Sequence, residues 1–254
     1  MPARDIARSV LLGLLRTSPG RRALAVAMSD GDELARLLNG LSDRLAADAD
    51  FDVALERSPG TVDHFEDCVW LLSSNVLNHG VSRLMIDEAA YLYRLVRSLA
   101  APRVVEIGRY RGGTTLLLAA AGGRVLSLDI DPAVAHADER LVRALERFGL
   151  SERVSLEIAD SHEYPVEPGA YDVIFVDGDH SYDGVRVDVE RWLSGVAPGG
   201  HLILHDAFYP SPERPWTRPW KAEGVHRFRE ELLQWPELAL AGRAGTLAHV
   251  VKQS

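Results

Sequence analysis

"RVVEIGRYRGG" (residues 103–113) joins a buried strand, a glycine-rich turn and the opening of a helix in one short stretch. Val104, Val105 and Ile107 make a brief apolar run closed by Gly108, the pattern of a strand covered on both faces in a parallel sheet. Gly108 and Gly112 remove side chains where the chain turns into the helix. The backbone can therefore come close to a ligand there, beside unpaired N–H groups at the helix start. The spacing Gly108-x-x-x-Gly112 is not the G-x-G-x-x-G fingerprint of dinucleotide sites. Glu106, two residues ahead, would repel phosphates and suits a cationic ligand.

Working outward, four more apolar runs follow: "RVLSLDI" (124–130), "RVSLEIA" (153–159), "YDVIFVD" (171–177) and "GHLILHD" (200–206). Helical stretches at 113–121, 133–148 and 182–195 separate them, and such alternation predicts βαβ units around a parallel sheet. Val185, Val189, Trp192 and Val196 recur at helical spacing and read as core. After "HDA" come "FYPSPERPWTRPW" (208–220), a helix near 224–234, and "LALAGRAG" with "TLAHVVK", joined tightly enough to predict an antiparallel hairpin.

Upstream of about residue 100 the pattern is helical. "SDGDELARLLNGLSDRLAAD" carries Leu34, Leu37, Leu38, Leu41 and Leu45, and "DEAAYLYRLVRSLA" carries Leu92, Leu95, Val96 and Leu99 after an expected Asp87 cap. Residues 1–82 are expected to form a helical extension acting as a cap or an oligomer contact, and residues 83–254 the α/β domain.

The charge of −9 argues against nucleic-acid binding, which needs clustered Lys and Arg. A single cysteine, Cys68, excludes an internal disulfide and a Cys-rich zinc site. It reads as a small buried residue, and with it the expected location is the cytoplasm. No apolar run approaches the roughly 18 residues of a membrane span. The arginine-rich start, Arg4, Arg8, Arg16, Arg21 and Arg22 against Asp5, could form an amphipathic helix binding a membrane or a partner, and reads first as a helix docked on the protein or on a second copy. The expected partners are a small-molecule acceptor and another subunit, with neither membrane nor nucleic acid.

Ligands in open parallel sheets bind beyond the carboxyl ends of the strands, and here every end is acidic: Glu106, Asp129, Asp160, Asp177 and Asp206. Asp129, at the tip of the second strand, can accept both hydroxyls of a ribose. Asp160 and Ser161 at the third tip could bond a purine, or form a polar loop. In "DGDHSYDG" Asp177, Asp179, His180 and Asp183 crowd together. Close carboxylates raise one another's pKa and call for a compensating cation. His180 could take a substrate proton near neutral pH, or serve as a loop residue at the start of the next helix.

"VVEIGRYRGGTT", "VLSLDIDP", "YDVIFVDGDHSYDGVRVDVERWLSGVAPGGHLILHDA" and "GRAGTLAHVVK" resemble the class I S-adenosylmethionine (SAM) methyltransferases. Within these they are similar to the branch of macrocin and other antibiotic-sugar O-methyltransferases and cephalosporin hydroxylase-like proteins. The resemblance covers residues 83–254. It implies a Rossmann-like α/β fold, a seven-stranded mostly parallel sheet with an antiparallel last strand. It implies SAM as methyl donor, bound by Glu106, Gly108, Tyr110, Gly112, Thr114, Asp129, Asp160, Ser161 and Asp177, and O-methylation of a natural-product sugar or vicinal diol. It further implies a divalent metal, magnesium or manganese, on Asp177, His205 and Asp206, with Asp179 as general base and His180 beside it. Relatives carry Asp-Asp where this chain has His205-Asp206. An imidazole is a poor magnesium ligand but suits manganese, iron, nickel or zinc. Either the metal differs, or His205 accepts a proton and no metal binds. Three rival readings stand: a metal-independent methyltransferase using a His/Asp base, a nicotinamide-dependent dehydrogenase, and a SAM-binding partner without catalysis.

Overall fold

The computed structural model describes residues 55–56, 58–72, 81–131, 135–208 and 223–253. The N-terminal helices expected over residues 1–54 lie outside these residues, as do Trp216 and Trp220 of the Pro/Trp segment. The chain divides into two compact units, and among the described residues Gly60–Cys68 go with the unit that begins at Leu84 and holds the sheet. Tyr93 explains that membership: its ring packs on Phe65 and its hydroxyl donates to the Asp63 carbonyl. Cys68 is buried, and burial pushes its thiol up to about 12, so it stays a neutral packing residue. In the other unit, the Ser82 N–H donates to the Leu71 carbonyl at 2.8 Å.

The sheet-bearing unit runs α1 (Ile86–Ser98), β1 (Arg103–Ile107), α2 (Gly113–Ala120), β2 (Arg124–Asp129), α3 (Ala135–Arg147), β3 (Val154–Ile158), β4 (Tyr171–Val176), α4 (Tyr182–Trp192), β5 (Val196–Leu204), α5 (Glu223–Leu232), β6 (Leu238–Ala244) and β7 (Leu247–Lys252). Seven strands form one sheet in the order β3-β2-β1-β4-β5-β7-β6. β7 enters antiparallel between β5 and β6, and the other neighbouring pairs are parallel. The α/β class and the closing hairpin expected from sequence are both present.

Each face of the sheet carries alternate residues. Val105, Ile107, Ile174, Val176, Leu202 and Leu204 share one core with Val185, Val189 and Trp192 of α4 and with Val225, Phe228 and Leu232 of α5. The predicted Trp192 stripe is thus core, as read. Glu106, Phe175 and His205 belong to the other face, where α1 and α2 lie.

Three local expectations change. The 182–195 helix stops at Trp192 and tightens into a 3-10 turn at Leu193–Gly195. β5 begins at Val196 instead of Gly200, because Val196 pairs with Tyr171 across a register irregularity that accommodates Pro198. Asp87 does not cap α1. It lies inside the first turn, and the Met85 N–H that precedes the helix is taken by the Glu88 carboxylate at 2.7 Å.

The sheet ladder continues one residue past the strand ends. Ala159 N–H reaches the Asp129 carbonyl, Gly108 N–H that of Leu128, Asp177 N–H that of Ile107 and His205 N–H that of Val176, at 2.8–3.0 Å. Gly108, at φ +90, lies so close to β4 that an added Cβ would stand 2.2 Å from the Asp177 carbonyl oxygen. Gly108→Ala is therefore expected to cost more than about 3 kcal/mol or prevent folding, since strain and overpacking combine. Gly149→Ala, at φ +66 with nothing within 4 Å, should cost only about 1–2 kcal/mol. Urea unfolding of the two variants measures the difference.

Candidate active site

The turn after β1 is built on Asp129. Its Oδ2 accepts the Arg109 and Tyr110 N–H groups, both at 2.9 Å, and its Oδ1 accepts the Asp131 N–H. These bonds allow Tyr110 to hold φ +52 without being glycine. The Arg109 guanidinium runs beneath, donating to the carbonyls of Ser127 and Glu157 and so fastening the turn to β2 and β3. Gly112, at φ +77, precedes α2, and Thr114 is buried in its first turn. Ile130 stands next to Asp129 at 64% exposure, an apolar residue at the strand tip. Sequence reading passed over it as the end of a strand. The signal available was an apolar residue directly following an acid at a strand tip.

Glu106 is sealed beneath this turn. The hydroxyls of Thr115 and Ser127 donate to its Oε2, and its Oε1 has no hydrogen-bond partner among the described residues. Burial pushes its carboxyl up to about 7, against the two hydroxyls and Arg109, which favour the anion. At the third tip the polar groups bond to neighbouring protein groups. Ser161 Oγ donates to Asp188 on α4 at 2.6 Å, and Asp160 Oδ1 accepts the His162 N–H.

The fourth and fifth tips meet. His205, buried, places Nδ1 2.7 Å from Asp177 Oδ1 and Nε2 3.5 Å from Glu88 Oε2. His180 Nε2 lies 3.2 Å from Asp206 Oδ2 and 3.6 Å from Asp177 Oδ1. Acid and imidazole thus alternate along Glu88, His205, Asp177, His180 and Asp206. Burial alone would drive the His205 pKa down, but the charge and hydrogen bond of Asp177, then Glu88, hold it well above the usual imidazole range. The Asp206 hydrogen bond raises His180. Against its own burial, that bond and both imidazoles hold the Asp206 carboxyl far below the usual carboxylate range.

Of the residues expected in the acid cluster, Asp177, His180, His205 and Asp206 come together. Asp179 is exposed and turns away. Its oxygens accept the Ser181 N–H and Oγ–H, while Ser181 in turn accepts the Gly184 N–H at the start of α4. Sequence reading missed Glu88, because an acid in the first turn of a helix looks like ordinary dipole complementation.

The donors bear on the metal implied by resemblance. Asp177, His180 and His205 each offer a ligand atom, all within 4.8 Å of one another, with Asp206 alongside. An imidazole among carboxylates fits a first-row ion such as manganese better than magnesium. Glu88 beside Nε2 matches the carboxylate that usually backs a ligating histidine.

Residues 105–207 match the family model described as "Methyltransferase domain". Residues 105–207 thus carry a methyltransferase domain. The chain is similar to mouse catechol O-methyltransferase domain-containing protein 1, 25% identical over 61% of this chain and 61% of the relative. It is also similar to catechol O-methyltransferase of Mycobacterium tuberculosis, 28% identical over 47% and 54%. The chain spans less than two thirds of the length of these relatives. The fold is that of the Streptomyces achromogenes O-methyltransferase TomG, which was solved in complex with SAM. The TM-score is 0.53 at 17% identity, covering 79% of this chain and 90% of TomG. Among the described residues no helix is long and apolar enough to cross a membrane.

In the methyltransferase domain Glu106 has a stability signature. Its folded-state pKa of about 7 lies above the 4.5 of an unhindered glutamate, so the unfolded chain ionises first. Stability on this account is full below about pH 4.5 and falls as pH rises to about 7, by about 3 kcal/mol. Glu106→Gln should flatten that fall, as thermal unfolding from pH 5 to 8 would record.

Proposed function

We propose that this chain transfers the methyl group of SAM to a hydroxyl of a small molecule that presents vicinal oxygens, such as a sugar diol or a catechol. The observation that carries the reading is the His180–Asp206 pair standing beside Asp177 at the strand tips of a methyltransferase domain. The names of the catechol O-methyltransferase relatives support the diol. A single buried cysteine supports work in the cytoplasm.

Asp129, pre-oriented by three backbone N–H groups, takes the ribose hydroxyls, and Ile130 offers an apolar face to the purine. Glu106 lends negative potential to a cationic donor, and its Oε1 lacks a donor of its own. Bound SAM supplies a methyl group on a sulfonium, already a good leaving group. The remaining tasks are to align acceptor oxygen, methyl carbon and sulfur, and to remove a proton.

His180 is placed for the proton. Asp206 holds Nε2–H and fixes the ring, which leaves Nδ1 to accept from the hydroxyl. Asp177, His205 and Asp206 would hold a divalent ion, whose chemistry is to lower the pKa of a coordinated hydroxyl. The second reading uses His180 and Asp206 without a metal, and the 2.7 Å Asp177–His205 bond, which already neutralises the acid, favours it.

Calorimetric titration with S-adenosylhomocysteine should show binding, weakened at least about tenfold in Asp129→Ala, where a charge-assisted pair of hydrogen bonds is lost. No heat with the intact protein would sink the proposal. His180→Gln should lower kcat on a catechol probe by about a hundredfold or more while leaving that affinity unchanged. Turnover undiminished by EDTA would select the metal-free reading.

A further inference from the structure

We propose that Glu88 is the positioning residue of this site, a carboxylate from α1 that holds both His205 and Asp206 at the end of β5. Glu88 is fully buried, and each of its oxygens faces two N–H or O–H groups. Oε1 accepts the Thr246 N–H at 2.7 Å and the Thr246 Oγ–H at 2.8 Å. Oε2 accepts the Met85 N–H at 2.7 Å and lies 3.5 Å from His205 Nε2. The grip on Asp206 is indirect. Its N–H donates to the same Thr246 hydroxyl at 3.3 Å, beside a backbone held at φ +51.

The close approach is built into the hairpin between β6 and β7. Gly245, at φ +54, lies where an added Cβ would stand 2.4 Å from Glu88 Oε1. Glycine clears the space, Thr246 supplies two donors, and the carboxylate reaches across 158 positions of sequence. A Glu is required chemically. Both oxygens face N–H or O–H donors, so a glutamine would turn its amide NH2 toward at least one of them. With Glu88 beside Nε2, the opposite ring nitrogen, Nδ1, faces Asp177.

The ring-positioning claim stands on geometry alone, and its extension to a metal rests on the proposed function. The test uses full-length protein labelled with 15N-histidine, with the His205 ring signals identified by their loss in His205→Gln. In Glu88→Gln the His205 ring signals should move by several ppm while those of His201 and His249 stay in place. The Kd for manganese alone should rise about 10–100-fold, with S-adenosylhomocysteine affinity changed less than twofold. Unchanged His205 ring signals would overturn the proposal whatever the metal result. Manganese binding as tight in the variant as in the wild type would overturn its metal half. If the wild type binds no manganese, the metal reading of the function falls, and the ring signals still decide on Glu88. Should Glu88→Gln fail to fold, Glu88→Asp takes its place, keeping the charge while withdrawing the oxygens from His205.

Discussion

Hydrogen bonding between strands does not stop where the strands end. The ladder runs one residue further at four neighbouring tips, through Ala159, Gly108, Asp177 and His205. Each extra bond fixes the direction of the next backbone step, so the turns leave the sheet as a set. This constraint explains why Gly108 must press against the Asp177 carbonyl, and why the first turn and the acid cluster lie at one edge of the sheet. A parallel sheet supplies the geometry because its strands finish at the same edge. The antiparallel β7 adds what parallel strands cannot, a tight turn with Gly245 and Thr246 delivered to that edge.

Within that frame the crowding of acids ceases to be a paradox. Three carboxylates, of Glu88, Asp177 and Asp206, are interleaved with two imidazoles. Each buried charge therefore has an opposite neighbour, the condition under which ionised groups tolerate a low dielectric. The same interleaving gives the two histidines different surroundings. His205 is enclosed between two acids, whereas His180 is about one-third exposed and backed mainly by Asp206. An enclosed ring suits holding, and an accessible ring suits exchange of a proton with a bound molecule.

Much of this was legible in the sequence because it is local. Apolar runs closed by glycine or acid announced the strands, the Gly-Thr junction announced the hairpin, and Asp129 announced itself by its place at a strand tip. What was not legible depends on side-chain direction or on distant partners. The "DGDH" string cannot say which member joins the cluster. The capping of α4 by Asp179 and Ser181 decides it, turning Asp179 out and leaving His180 beside Asp177. Glu106 looked like a ligand-facing acid, yet Thr115 and Ser127 draw it beneath the turn. Glu88 carried no local sign, because its partners lie on β5 and in the last hairpin.

Two non-glycine residues in left-handed conformation stand at the strand tips, Tyr110 in the first turn and Asp206 beyond β5. Each costs on the order of 1 kcal/mol and persists only where its surroundings over-determine it. Both are over-determined by a side chain from elsewhere: Asp129 takes the Tyr110 N–H, and Thr246, itself held by Glu88, takes that of Asp206. A glycine would relieve the strain at either position but would abolish the side chain projected there. At residue 206 the projected group is the carboxylate that holds His180. The strain at Asp206 is therefore the structural cost of aiming that carboxylate, and Glu88 is what makes it sustainable.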